Sequence, residues 1–113
     1  MNSNAESIVL YQHLIDDCDN SVLYWNGQAD SEEKTTNIKN YTELKSAHEK
    51  NVARLMEQSK ARGENLIEAI GEYIERIEKI VSVFGAWLPL GVKEWYTKLI
   101  NTAKKLLEFF KKL

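Results

Sequence analysis

The sequence predicts an all-α protein, either a helical bundle or an elongated helical hairpin of three to four helices. Only one proline, Pro89, occurs among the 113 residues, and apolar side chains recur at three- and four-residue intervals over most of the chain. The pair Glu72 and Arg76 has the spacing and order that stabilise an exposed helix face. These observations indicate one helical domain over residues 1–113 with coiled-coil-like seams.

Helix 1 is expected over about residues 4–25. Its apolar seam advances by steps of four and three residues through Ile8, Tyr11, Ile15, Cys18, Val22 and Trp25. Ser3 and Glu6 have the spacing of an N-terminal capping box. Asn26 and Gly27 are expected to end the helix, because both tolerate left-handed backbone geometry.

A second seam predicts a long helix over about residues 32–84, with Ser31 or Asp30 at its start. The seam keeps its phase past Gly63, which favours one continuous helix and hence an elongated hairpin. Gly63 is also the natural place for a kink or break, because a glycine inside a helix costs about 1 kcal/mol relative to alanine. A break there gives a compact bundle of four helices.

The C-terminal part predicts a turn over residues 85–91 and an amphipathic basic helix over about residues 91–112. The apolar face of this helix contains Val92, Trp95, Tyr96, Leu99, Ile100, Ala103, Leu106, Leu107, Phe110 and Leu113. Its lysines lie outside that face: Lys93, Lys98, Lys104, Lys105, Lys111 and Lys112. Phe109 also falls outside it and indicates a second contact, within the chain or between chains.

Two interpretations of this last helix remain open from the sequence. In the first, its apolar face packs on the preceding helix, whose glutamates then face its lysines. The matching stripe on that helix is Ile67, Ile70, Ile74, Ile77 and Val81. In the second, the helix and the apolar stretch over residues 83–92 enter a membrane interface, where tryptophans and lysines meet anionic head groups.

Charge is segregated along the chain, although the net charge is only −2. Residues 1–33 carry seven acidic side chains and no lysine or arginine, whereas residues 92–113 carry six lysines and two glutamates. An acidic head and a basic tail attract each other within one bundle or between subunits. The tail has no arginine and its aromatics lie on the apolar face, which argues against nucleic acid as a partner.

The sequence shows no motif for catalysis, a cofactor or a metal ion, and we therefore expect a non-enzymatic protein. His13, Asp16 and Asp17 share one helix face and are expected to form a solvated acidic surface rather than a metal site. Cys18 is expected to be a small buried apolar group, and His48 a half-buried, hydrogen-bonded side chain.

The first residues lack the basic segment of a secretory signal, and no apolar run reaches the roughly 18 residues of a spanning helix. The sequence therefore predicts a cytoplasmic location, with membrane association as the alternative.

Taken together, these features predict a small protein–protein interaction module that self-associates, as a homo-oligomer, or docks a larger partner. The alternative is a membrane-active protein, pore-forming or peripheral, that uses the amphipathic C-terminal helix on an anionic membrane surface. Aromatic residues dominate interface hot spots. The expected contact residues are Trp25, Trp87, Trp95, Tyr96, Leu99, Leu106, Phe109, Phe110, Lys98, Lys104, Lys105, Lys111 and Lys112.

Overall fold

A computed structural model describes residues 4–112. Within them the chain forms four α-helices and no strand, which confirms the predicted all-α fold class. The helices are α1 (Asn4–Asn26), α2 (Glu32–Ala61), α3 (Leu66–Phe84) and α4 (Leu90–Lys111). Ser3 of the predicted capping box and Leu113 of the predicted apolar face lie outside the described residues.

The two N-terminal seams pack α1 against α2 as an antiparallel hairpin. Near one end of the contact, Nζ of Lys45 lies 2.7 Å from Oδ1 of Asp19. Further along, the rings of Tyr11 and His48 have centroids 5.6 Å apart. The pairing of these positions runs in opposite directions along the two helices, as a short connection between them requires.

Lys34 holds the connection between α1 and α2. Its Nζ donates a hydrogen bond to the carbonyl oxygen of Gln28 at 3.0 Å and lies 3.1 Å from Oδ1 of Asp30. Ser31 caps α2, because its hydroxyl oxygen accepts a hydrogen bond from the backbone N–H of Lys34 at 3.0 Å. The turn therefore satisfies groups that helix ends otherwise leave without partners.

The structure separates α2 from α3, which corrects the expectation of one continuous helix. Gly63 has a φ of +70°, a left-handed conformation that ends helices and that glycine adopts without strain. Asn65 then begins α3, since its Oδ1 accepts a hydrogen bond from the backbone N–H of Glu68 at 3.2 Å. The seam keeps its phase across Gly63, but periodicity records which side chains face a core and not whether the backbone between them is continuous.

α3 and α4 form a second hairpin, joined by residues 85–89. Nζ of Lys104 lies 3.3 Å from Oε1 of Glu78, one of the expected pairs between the two helices. Most of the predicted α3 stripe is buried, but Ile67 is exposed in the first turn of the helix, and Tyr73 is buried in addition.

An apolar core joins the two hairpins through α1, which contacts each of the other three helices. The core consists of Ala5, Ile8, Val9, Leu55, Ile70, Tyr73, Ile74, Ile77, Leu99, Ala103, Leu106 and Phe110. The radius of gyration is 16.3 Å, whereas a closely packed domain of this length has about 13 Å. The helices therefore form an open bundle that leaves grooves between them.

Gly63→Ala is expected to lower the free energy of unfolding by about 1 kcal/mol, because a Cβ atom is disfavoured at positive φ. That Cβ meets no atom within 4 Å, so backbone strain is the main cost. Gly71→Ala is the matched control, since its Cβ is equally free within α3, and it should stabilise the protein by up to about 1 kcal/mol. Urea unfolding measures both effects. A stabilising Gly63→Ala would instead indicate a continuous helix.

Tyr73 gives the core a pH dependence on the alkaline side. Burial, with the nearby charge of Glu6, raises the pKa of its phenol above the ordinary value of 10.0. The folded chain therefore holds this proton more tightly than the unfolded chain does. The resulting stabilisation is complete below the unfolded pKa and is lost as the pH rises through the raised folded pKa.

Tyr73→Phe should accordingly lose less stability than the wild type between about pH 9 and about pH 11. Urea unfolding at both pH values measures the difference. The pKa values of Cys18 and Lys45 are also raised, but these groups are the same in both proteins and their contributions cancel. Equal losses in the two proteins would contradict the role of Tyr73.

Candidate functional site

The predicted contact residues of α4 fall into two environments. Three of them belong to the core: Leu99, Leu106 and Phe110. The others on this helix are exposed or half-buried: Trp95, Tyr96, Phe109, Lys98, Lys104, Lys105, Lys111 and Lys112. The apolar face of α4 is thus buried or half-buried from Leu99 to Phe110, whereas Val92 and Trp95, on the same face, are exposed.

The two remaining predicted tryptophans lie at the ends of the two hairpins. Trp25, in the last turn of α1, is half-buried, and the edge of its ring meets the ring of Tyr24 with centroids 5.4 Å apart. Trp87, between α3 and α4, is 85% exposed. Leu23 and Tyr24 are exposed beside Trp25, and the sequence did not identify them, because both lie off the seam that defined α1.

An open apolar groove of about 310 Å³ lies between α2 and α4. Both helices pack on α1, and the groove is the space left between them. Its lining residues are Gln12, Asp16, Val52, Met56, Thr102, Lys105, Leu106, Phe109 and Phe110. The shape of the groove could not be predicted from the sequence, because it depends on how closely α2 and α4 approach each other across α1.

Phe109 is the exposed aromatic side chain of this groove. It is 56% exposed, and its ring centroid lies 5.8 Å from that of the buried Phe110. Asp16 and Lys105 add one negative and one positive charge to the lining, and Oδ1 of Asp16 accepts a hydrogen bond from Nε2 of Gln12 at 3.2 Å. The position of Phe109 outside the main apolar face was the one sequence signal of this surface.

A second, polar groove of about 410 Å³ brings the acidic part of α1 next to the basic α4. Asp16, Asp17 and Asp19 lie on one side of it and Lys98 and Lys105 on the other. This arrangement corresponds to the attraction within one chain that the charge segregation favours.

His13 also lines the polar groove, and its Nε2 lies 3.4 Å from Oδ2 of Asp17. Nowhere in residues 4–112 do three or more His, Cys, Asp or Glu side chains form a group suited to a metal ion.

Cys18 and His48 lie in the contact between α1 and α2. Cys18 is buried, and burial together with Asp17 and Asp19 raises the pKa of its thiol. The thiolate is therefore disfavoured and the side chain acts as a small apolar group. His48 is half-buried beside Tyr11, as expected, and its Nδ1 has no hydrogen-bond partner among the described residues.

Exposed apolar side chains are concentrated where α3 is connected to α4, and we call residues 83–95 the α3–α4 tip. These side chains are Val83, Phe84, Trp87, Leu90, Val92 and Trp95. Full burial ends at Ile77 in α3 and begins at Leu99 in α4, so the tip extends beyond the core. Exposed apolar side chains concentrated in this way are a candidate site for binding a protein or a membrane.

Leu99 and Leu90 provide a direct test of this division of α4. Leu99→Ala should lower the free energy of unfolding by about 2 to 5 kcal/mol, because it leaves a cavity in the core. Leu90→Ala should change it by less than about 0.5 kcal/mol, because Leu90 is largely exposed. Urea unfolding of the two variants measures the contrast, and similar losses for both would show that the tip is also packed.

Comparison with known proteins leaves the function to be inferred from the geometry of this chain. No protein-family model matches the sequence, and neither the curated proteins nor the solved structures yielded a significant match. The basis for a functional assignment is therefore the apolar groove, the polar groove and the α3–α4 tip. In the part of the chain that the structure describes, no helix is both long and apolar enough to cross a bilayer.

Proposed function

We propose that this chain is a small non-enzymatic helical protein–protein interaction module and that it self-associates through the apolar groove. The observation that carries the proposal is the exposure of Phe109 on the wall of a mainly apolar groove. An aromatic side chain at the edge of such a groove is the type of residue that dominates interface energetics. The surface is suited to binding a side chain or a helix rather than to a chemical reaction.

The walls of the groove suit an apolar partner of helical shape. Val52 and Met56 are one helical turn apart on α2, and Leu106 and Phe110 are one turn apart on α4, so each wall presents a stacked apolar pair. A groove of this kind accepts side chains spaced by three and four residues on another helix. Met56 adds adaptability, because an unbranched thioether side chain adjusts to different neighbours.

A second copy of this chain is the partner that the charges favour. A two-fold symmetric interface brings the same surface of both subunits together, so that surface must be complementary to itself. The groove contains both Asp16 and Lys105, and a two-fold arrangement can pair each of them with the opposite charge of the other subunit. In the same arrangement Phe109 of each subunit enters the groove of the other.

Docking to a larger partner is the second form of this proposal, and it uses the same groove for an amphipathic helix of that partner. The alternative function, a membrane-active protein that uses the whole of α4, is less favoured. Leu99, Leu106 and Phe110 are already buried in the core, and lipid contact by that half of the helix would first require the bundle to open. The proposed location is the cytoplasm.

Phe109→Ser is expected to weaken self-association on the order of 1,000-fold, because loss of one aromatic hot spot costs about 2 kcal/mol and the two-fold dimer loses two of them. Sedimentation velocity over a series of protein concentrations measures the dissociation constant. The matched control is Phe84→Ser. Phe84 is 54% exposed but lies outside the groove, and its replacement should leave the dissociation constant unchanged.

Charge reversal in the groove adds an independent check of the two-fold arrangement. Asp16→Lys and Lys105→Asp should each weaken the dimer, and the double variant should restore it, because the two charges are again complementary across the interface. A wild-type chain that stays monomeric at the highest attainable concentration contradicts self-association. An equal effect of Phe84→Ser and Phe109→Ser contradicts the groove as the interface.

A further inference from the structure

The α3–α4 tip leaves its apolar side chains in water without any contact from α1 or α2 that buries them. Trp87 is 85% exposed and Leu90 is 73% exposed, while Phe84 and Trp95 are exposed on either side of them. Since none of these side chains contributes to the core, the fold does not explain why they are apolar. The surface lies outside the apolar groove and shares no lining residue with it.

Part of the tip backbone is hydrogen-bonded within the turn. The carbonyl oxygen of Phe84 accepts hydrogen bonds from the backbone N–H groups of Trp87 at 2.9 Å and of Leu88 at 3.1 Å. Pro89 has no N–H, and its carbonyl oxygen accepts a hydrogen bond from the N–H of Lys93 at 3.1 Å. These groups have partners within the tip, whereas α4 begins at Leu90 without a side-chain cap. The start of this helix therefore suits the polar head-group layer rather than the acyl chains.

Lysines outnumber acidic side chains around the tip. Residues 80–92 contain no charged side chain, and Lys79, Lys93 and Lys98 flank this stretch together with Glu78 and Glu94. Oε1 of Glu78 lies 3.3 Å from Nζ of Lys104, so this carboxylate already has a partner. All three flanking lysines are exposed. Tryptophan prefers the boundary between head groups and acyl chains, and lysine reaches from there to anionic head groups.

The end of the α1–α2 hairpin also exposes apolar side chains, but lysines do not flank them as they flank the α3–α4 tip. Leu23 is 72% exposed at the end of α1, so it matches Leu90 in both residue type and exposure. The residues that follow it include Asp30, Glu32 and Glu33, which are exposed and acidic. An anionic surface repels that end of the molecule and attracts the α3–α4 tip.

We propose that the α3–α4 tip binds the surface of an anionic lipid bilayer, with Trp87 and Leu90 entering the interfacial layer and the lysines contacting lipid head groups. This peripheral contact leaves the bundle folded, because Leu99, Leu106 and Phe110 stay in the core. It goes beyond the proposed interaction function and depends on a different surface.

The test is flotation of the full chain with vesicles of equal parts phosphatidylcholine and phosphatidylglycerol, and with vesicles of phosphatidylcholine alone. The wild type should bind the anionic vesicles at least about tenfold more tightly, and added salt should weaken that binding. Leu90→Ser should weaken it about tenfold, because it removes a side chain that the bilayer buries. Leu23→Ser is the matched control and should bind as the wild type does.

The role of the lysines is tested by the double variant Lys93→Gln, Lys98→Gln. It should lose most of the preference for anionic vesicles, whereas Lys39→Gln on α2 should not. Far-ultraviolet circular dichroism of every variant establishes that the helices are intact. Phe109→Ser should bind vesicles as the wild type does. Membrane binding by the tip and self-association through the groove are thereby tested independently.

Three results would overturn the inference. The first is failure of the folded wild type to float with either type of vesicle, and the second is equal binding by the wild type and Leu90→Ser. The third is a loss with Leu23→Ser as large as that with Leu90→Ser. If vesicle binding is absent and Leu90→Ser changes the sedimentation coefficient, the occupant of the tip is a second copy of the chain.

Discussion

Contact of α1 with all three other helices is the constraint on which the rest of the structure depends. Ala5, Ile8 and Val9 in its first turns are completely buried and belong to the same core as the buried faces of α3 and α4. α1 also packs on α2 along its length, from the core residue Leu55 to the pair of Asp19 with Lys45. Because one helix connects both hairpins, α2 and α4 are held on the same element without having to meet along their length. The apolar groove is a direct result of that arrangement.

The division of α4 follows from the same constraint. Its second half faces α1 and α3 and supplies core residues such as Leu99 and Ala103. Its first half extends past the last buried residue of α3, Ile77. Trp87, Leu90 and Phe109 remain in water, although burying each of them would contribute about 1.5 to 3 kcal/mol. A chain that gives up this stabilisation at specific positions has surfaces suited to binding.

The sequence predicted the helical fold and most of the buried faces, because helical periodicity reports directly which side chains avoid water. It did not predict what covers each face. Val92 and Trp95 lie on the same arc of α4 as Leu99 and Ala103, and only the second pair is buried. Periodicity places all four together, whereas their burial depends on how far the core of α3 extends along α4.

Apolar periodicity also did not determine the break at Gly63 or the groove between α2 and α4. The sequence identified Gly63 as the place for a break, but a continuous helix and a broken one both agree with the apolar seam. The choice between them depends on the backbone conformation of Gly63 alone. The groove between α2 and α4 depends on a distance between helices that are far apart in the sequence. Phe109 indicated an additional contact, but Val52 and Met56 on the opposite wall had no comparable signal.

The long α2 divides the molecule into parts of unequal local stability. Its 30 residues span about 45 Å, yet none of residues 32–54 is buried and the first core residue is Leu55. That stretch is held mainly by its contact with α1, through pairs such as Lys45 with Asp19. Backbone amides there should exchange with solvent through local opening, while those of α3 between Ile70 and Ile77 exchange only when the core itself unfolds. The N-terminal hairpin can therefore separate and re-form at its outer end without loss of the bundle.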